Sequence, residues 1–259
     1  MKTALITGAS SGIGLELARI FAREKHRVVL VARNRKALEQ LQQELQQQHG
    51  IEALVLPADL GQREAPQQLF EELQRRGIAV DYLINNAGFG DFGFFAETEW
   101  TKEEQMLDVN IRTLTHLTKL FLPGMVQRRS GRIMQLASTA AFQPGPLMAV
   151  YYATKAYVLS FSEAIANELQ GTGVTVTALC PGPTASGFQD AAALNDSKLV
   201  KGKKLPTSAE VAEYGYRAFM QGETVAVHGL MNSLMAQSVR FAPRRMVTAL
   251  VRRMSERAH

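Results

Sequence analysis

The chain has 259 residues, 46% hydrophobic and 20% charged, a balance that predicts one soluble globular domain with a full core and leaves no linker for a second. Its net charge of +5 and pI near 9.4 would admit an acidic ligand, but no DNA-binding motif or interleaving of aromatic and basic residues is present, so no nucleic-acid partner is expected. The single Cys180 excludes an intrachain disulfide, and no transmembrane segment or secretory leader is visible, so a cytoplasmic protein is expected.

In chain order, short β-branched runs alternate with longer amphipathic stretches. Strands are predicted at Thr3 to Thr7, Arg27 to Val31, Ala53 to Leu56, Tyr82 to Asn85, Arg132 to Ala137, Val174 to Leu179 and Val225 to Val227. Helices are predicted at about 12–24, 35–48, 62–76, 99–128, 150–170 and 208–221. Strands separated by helices of this length need right-handed crossovers, which predicts an α/β fold with a doubly wound, parallel, seven-stranded sheet covered by helices on both faces. The glutamine-rich run from Gln40 to Gln48 reads as an exposed helix face.

The first strand passes into the first helix through Thr7-Gly8-Ala9-Ser10-Ser11-Gly12-Ile13-Gly14. Glycines there permit a tight turn and close backbone approach to a pyrophosphate, and the helix N-terminus offers free N–H groups. An NAD site would place an acid at the end of the second strand, about twenty residues on, to accept from the ribose 2′-hydroxyl. The sequence reads Ala32-Arg33-Asn34-Arg35-Lys36 instead, and the Arg33 fork suits a 2′-phosphate, with Arg35 or Lys36 as auxiliaries. The cofactor read from these residues is NADP(H).

Further on, Tyr151 and Lys155 fall one turn apart on a predicted helix, with Ser138 thirteen residues upstream. A fixed ammonium beside a phenol favours the phenolate, so the pair predicts a tunable acid/base. Tyr152 has Ala156 one turn on, and so lacks a lysine partner.

Taken together, the glycine turn, Asp59-Leu60, Asn85-Asn86-Ala87-Gly88, Asn110, Ser138, Tyr151 with Lys155, and Pro181-Gly182-Pro183-Thr184 resemble, in order, the short-chain dehydrogenase/reductase family and its NADP(H)-dependent carbonyl reductases. The resemblance runs to about residue 228 and implies a single Rossmann-fold domain. It implies that Gly8, Ser10, Ser11, Gly12, Ile13, Gly14 and Arg33 hold the cofactor phosphates. Asp59 and Leu60 would meet the adenine, Asn86, Ala87 and Gly88 would line the cofactor wall, and Pro181, Gly182 and Thr184 would hold the nicotinamide amide. For chemistry it implies Asn110, Ser138, Tyr151 and Lys155: the tyrosine as proton donor, the serine on the same oxygen, the lysine on the ribose, the asparagine holding a relay water. No metal is implied.

Phe89, Phe92, Phe94, Phe95, Phe142, Gln143, Met148 and Phe188 predict an apolar pocket suited to a hydrophobic ketone, aldehyde or 3-oxoacyl substrate. A polar segment at about 185–206, with Lys198, Lys201, Lys203 and Lys204, reads as a substrate lid. Beyond it lies an extension at about 229–259, in which Phe241 to Met254 place Met246, Val247, Leu250, Val251 and Met254 on one face of a basic amphipathic helix. That helix packs on the body or on a neighbouring subunit of a dimer or tetramer, or contacts a membrane or protein partner. A non-catalytic NADP(H)-binding regulator or scaffold is the alternative from another class.

Overall fold

Strands β1 (Thr3–Thr7), β2 (Arg27–Val31), β3 (Ala53–Val55), β4 (Tyr82–Asn85), β5 (Gly131–Leu136), β6 (Val174–Cys180) and β7 (Val225–Val227) form one parallel sheet in the order β3-β2-β1-β4-β5-β6-β7. The structure is a computed structural model, and it describes residues 1–187, 202 and 204–256. Every residue of β1 is buried because both sheet faces are covered. Ala4 and Ile6 pack with α1 (Gly12–Arg23), α2 (Arg35–His49) and α7 (Ser208–Gln221). Leu5, pointing the other way, packs with α3 (Ala65–Arg75), α5 (Leu114–Gln127) and α6 (Ala149–Glu168). Strand order reverses between β1 and β4, and the carboxyl ends of strands at such a point leave a crevice.

The predicted strands and most helices agree with these elements to within a few residues. In α2, Leu38, Leu41 and Leu45 face the core and Gln40, Gln43 and Gln46 to Gln48 face solvent, as read. The helix expected over 99–128 needs correction. It is α4 (Trp100–Leu107), a π-helical stretch at Asp108–Thr113, and then α5. There the wider turn accompanies side chains tied outside the helix: Thr113 Oγ1 donates to the Leu60 carbonyl at 2.7 Å, and Asn110 bonds Phe89 of the loop after β4 and Thr154 further along the chain.

The lid expected at 185–206, with Phe188, Lys198, Lys201 and Lys203, falls mainly outside the described residues. Its two ends are joined: the Ala185 N–H donates to the Pro206 carbonyl at 2.8 Å, and Thr207 then caps α7 in a capping box with Glu210. The extension forms α8 (Leu230–Ser238), a short 3₁₀ turn (Val239–Phe241) and α9 (Arg244–Ser255). Its expected apolar face is only half used. Val247 and Val251 are buried on the body, whereas Met246 and Leu250 stand in solvent, because the helix lies along the edge of the crevice and touches the body through a single stripe. No helix among the described residues is long and apolar enough to cross a membrane.

Candidate active site

The crevice at the carboxyl end of the sheet is a cavity of about 880 Å³, within the range of small-molecule sites. One end is built on the glycine turn, where Gly8 and Gly12 take φ of 67° and 58°, a left-handed backbone that favours glycine. Thr7 Oγ1 accepts from the N–H groups of Asn86 and Ala87 at 2.9 and 3.0 Å, and Asn86 Nδ2 donates to the Thr7 carbonyl at 2.9 Å, so β4 is stitched to the turn. Ser11 begins α1 without capping it, and the cleft is lined by Gly8, Ser10, Ser11, Gly12 and Ile13. Gly14 is not on the cleft. A Cβ there would lie 2.3 Å from Asn86 Nδ2 and 2.4 Å from the Gly8 carbonyl oxygen, so its lack of a side chain lets helix and turn meet.

At the end of β2, Ala32, Arg33 and Asn34 line the same cavity. Asn34 accepts from the Ala37 N–H and caps α2, Arg35 pairs with Glu39 at 3.5 Å, and neither Arg35 nor Lys36 reaches the cleft. Arg33 alone stands there, exposed and without an ion pair among the described residues. Asp59 and Leu60 form the adjoining wall with Asn86, Ala87 and Gly88; Asp59 accepts from the Gly61 N–H and from Gln62 and so closes its own turn. A left-handed glycine turn, an uncapped helix N-terminus and an unpaired guanidinium at the end of β2 together fit a phosphorylated dinucleotide.

In the middle of the cleft, α6 places Tyr151 and Lys155 together, with the ammonium nitrogen 5.7 Å from the phenol ring centroid. Lys155 Nζ donates to the Leu136 carbonyl at 2.6 Å. Ser138 opens the 3₁₀ turn Thr139–Phe142, accepts from the Ala140 N–H at 3.1 Å and donates to the Pro181 carbonyl at 3.3 Å. Asn110 is buried behind this group. It accepts from the Phe89 N–H at 3.2 Å and donates to the Phe89 carbonyl at 2.9 Å and to Thr154 Oγ1 at 3.1 Å. Gly88 makes room for it, since a Cβ there would lie 2.9 Å from Asn110 Oδ1 and 3.6 Å from Lys155 Nζ.

Burial dominates the electrostatics here. It pushes the Tyr151 phenol above its usual range, against the opposing hydrogen bond from Ser138, and lowers Lys155 to about 8. The expected depression of the phenol by the lysine therefore gives way to desolvation, and Tyr151 is held protonated. Tyr152 is also raised by burial, with Ser255 opposing, and its ring lies on Gly145, where a Cβ would come within 2.1 Å of it.

Pro181, Gly182 and Thr184 line the cleft after β6, and Thr184 Oγ1 donates to the Gly182 carbonyl at 2.9 Å. Asn232 of α8 presses on this loop: a Cβ on Gly182 would lie 2.6 Å from its Nδ2. No motif in the sequence marks Asn232. Of the aromatic lining expected, Phe89 borders the cleft with Gln143 and Met148, and Phe92 packs in the apolar cluster beneath. Phe94 and Phe95 are exposed and Phe142 joins a neighbouring core cluster, so these three are corrected; their loop and turn point them away from the crevice. Their place is taken by Met235, Val239, Val247, Leu250, Val251 and Met254 from the extension.

A family model described as short chain dehydrogenase matches residues 2–196. The ketoacyl reductase HetN of a Nostoc strain is 36% identical over 181 residues, which cover 70% of this chain and 63% of that protein. The NADP-dependent 3-hydroxy acid dehydrogenase YdfG of Escherichia coli is 35% identical over 69% of this chain and 71% of its own. Among solved structures, a short-chain dehydrogenase from Sphingobium yanoikuyae in complex with NADPH superposes with a TM-score of 0.85, at 30% identity and 95% coverage of both chains. The bulky-bulky ketone specific alcohol dehydrogenase of Comamonas testosteroni reaches 0.80, at 28% identity with 93% of this chain and 92% of that one covered.

Proposed function

The chain belongs to the short-chain dehydrogenase family, and from that premise we propose that it is an NADP(H)-dependent oxidoreductase that reduces the carbonyl of a hydrophobic ketone, aldehyde or 3-oxoacyl compound. The observation that carries the reading is the buried Tyr151 beside Ser138 and Lys155, between the glycine-turn end of the cleft and an apolar wall. When bound, the reduced nicotinamide supplies the hydride. The Tyr151 hydroxyl donates the proton to the carbonyl oxygen as negative charge grows on it, and Ser138 hydrogen-bonds that oxygen and orients it. With that cofactor bound, Lys155 would hold its ribose hydroxyls. Asn110 is a positioning residue that ties the Phe89 backbone, on the loop after β4, to Thr154 of α6.

The names of the relatives, a ketoacyl reductase, a 3-hydroxy acid dehydrogenase and a bulky-ketone dehydrogenase, agree with an apolar wall built from methionine, leucine and valine. The reading is tested by following reduced-nicotinamide absorbance against aromatic aldehydes, diketones, 3-oxoacyl thioesters and steroid ketones. Turnover with NADPH on one of these classes is expected. NADPH binding without turnover on any of them would favour the regulator.

Arg33→Asp removes the guanidinium and sets a carboxylate at the 2′-position. It is expected to weaken NADPH by roughly a hundredfold and to leave NADH nearly unchanged, the size of a charge-assisted fork lost and a repulsion gained. Dissociation constants from nucleotide fluorescence check this, and equal losses for both nucleotides would remove Arg33 from the 2′-phosphate role.

The pH dependence follows from Lys155. Its folded pKa, lowered by burial to about 8, means that the ammonium is present below that value and lost above it. The raised phenol of Tyr151 keeps its proton across this range. Reductase kcat/KM is therefore expected to be flat on the acid side and to fall as pH rises through about 8. A profile flat to pH 10 would contradict this.

A further inference from the structure

The net charge of the chain is confined to one segment. Of its 29 basic and 24 acidic residues, the last 30 positions hold six arginines and one glutamate, which leaves 23 of each sign in the rest. The same segment carries apolar side chains that the fold leaves in solvent: Phe241 is 90% exposed, Leu230 79%, Met231 68% and Met246 66%. Single exposed apolar residues are ordinary, but a group of them beside arginines on consecutive helices marks an interaction surface.

The arrangement on α9 is ordered. Val247, Val251 and Ser255 form the stripe against the body, and Met246, Leu250 and Met254, four residues apart, form the next stripe around the helix. On the other side, Arg244, Arg245 and Arg252 share an open groove with Pro146 and Thr248. The Arg252 guanidinium also lies over the exposed ring of Phe94, 4.9 Å from its centroid, joining the loop after β4 to the same face. Leu250, Met254 and Met235 border the mouth of the catalytic cleft, so the surface surrounds the entrance.

We propose that this face docks on an anionic lipid bilayer, with Phe241 and Met246 entering the interface and Arg244, Arg245 and Arg253 meeting lipid phosphates. Apolar side chains flanked by arginine are the composition that binds such a surface, and no helix of the described residues spans it, so the contact is peripheral. Charge decides against a second copy as the occupant. A two-fold contact would set arginines against arginines, and the one acid of the segment, Glu256, is already paired with Arg252 at 3.5 Å. The docked face turns the cleft mouth toward the bilayer, a direct route for an apolar compound. Docking itself needs nothing of the chemistry inside the cleft.

The test is co-sedimentation of the full chain with vesicles of phosphatidylcholine alone and of equal parts phosphatidylcholine and phosphatidylglycerol, at low and high salt. Binding to the anionic vesicles, weakened by salt and absent from the neutral ones, is expected. Arg244→Glu with Arg245→Glu should weaken it at least about thirtyfold, and Phe241→Asp with Met246→Asp should abolish it. These positions are at the surface and outside the cleft, so thermal melting of the variants should match the parent chain. A parent chain left in the supernatant with both vesicles would overturn the proposal, as would variants that sediment as fully as the parent. Apolar variants that turn a free dimer into a monomer, with no vesicle binding in the parent, would assign the face to a second copy and overturn it too.

Discussion

Tyr151→Phe is expected to lower kcat for carbonyl reduction by about three orders of magnitude while leaving NADPH affinity within about twofold, the loss of a positioned proton donor. The substitution removes one oxygen and little else. The ring is buried on α6 and packs edge-on against Tyr152 at 6.1 Å between centroids, contacts that phenylalanine keeps. Tyr152 cannot replace the lost donor, because its ring is held on Gly145 and its hydroxyl faces Ser255. Steady-state rates with the best substrate, beside nucleotide titration, provide the check. A kcat within tenfold of the parent would require another proton donor.

Gly14→Ala is expected to destabilise the fold by about 1–3 kcal/mol, as overpacking does, and to weaken nucleotide binding by at least about tenfold. The added methyl would fall 2.3 Å from Asn86 Nδ2 and 2.4 Å from the Gly8 carbonyl oxygen, and Asn86 is the side chain that stitches β4 to the turn. Relief requires either the helix or the turn to move, and both line the phosphate end of the cleft. Gly50→Ala is the control. It has φ of 64° but nothing within 4 Å of the new atom, so it should cost about 1 kcal/mol of backbone strain and leave nucleotide affinity unchanged. Thermal melts and nucleotide titration of both variants separate clash from strain. Equal effects of the two on nucleotide affinity would remove Gly14 from the architecture of the turn.

Much of the site was legible because its signals are local. The glycine turn after β1, the i to i+4 relation of Tyr151 and Lys155, and the arginine where an acid would stand at the end of β2 each depend on neighbours in the chain. The role of Gly14 was less legible: its spacing marks it as part of the turn, but only the approach of Asn86, just past the end of β4 and 72 residues later, makes it a packing position instead of a lining one. Asn232 was not legible at all. It meets Gly182 across a gap in sequence that no motif spans.

Apolar periodicity showed that α9 has an oily face, but not which part of it meets the body; Val247 and Val251 do, and Met246 and Leu250 do not. Phe94 and Phe95 carry the same chemistry as Phe89 and yet lie outside the cleft, because the path of the loop, which has no period, aims each ring. The sequence by itself determined the alternation of strands and helices, the glycine turn and the pairing of Tyr151 with Lys155, all set by residues within a turn or a strand of one another. The tertiary structure decided the burial that raises the Tyr151 phenol and lowers Lys155, the π-helical turn at Asn110 and the free face around the entrance. Each of these depends on desolvation or hydrogen bonding by groups far away in the chain, which adjacency in sequence does not encode.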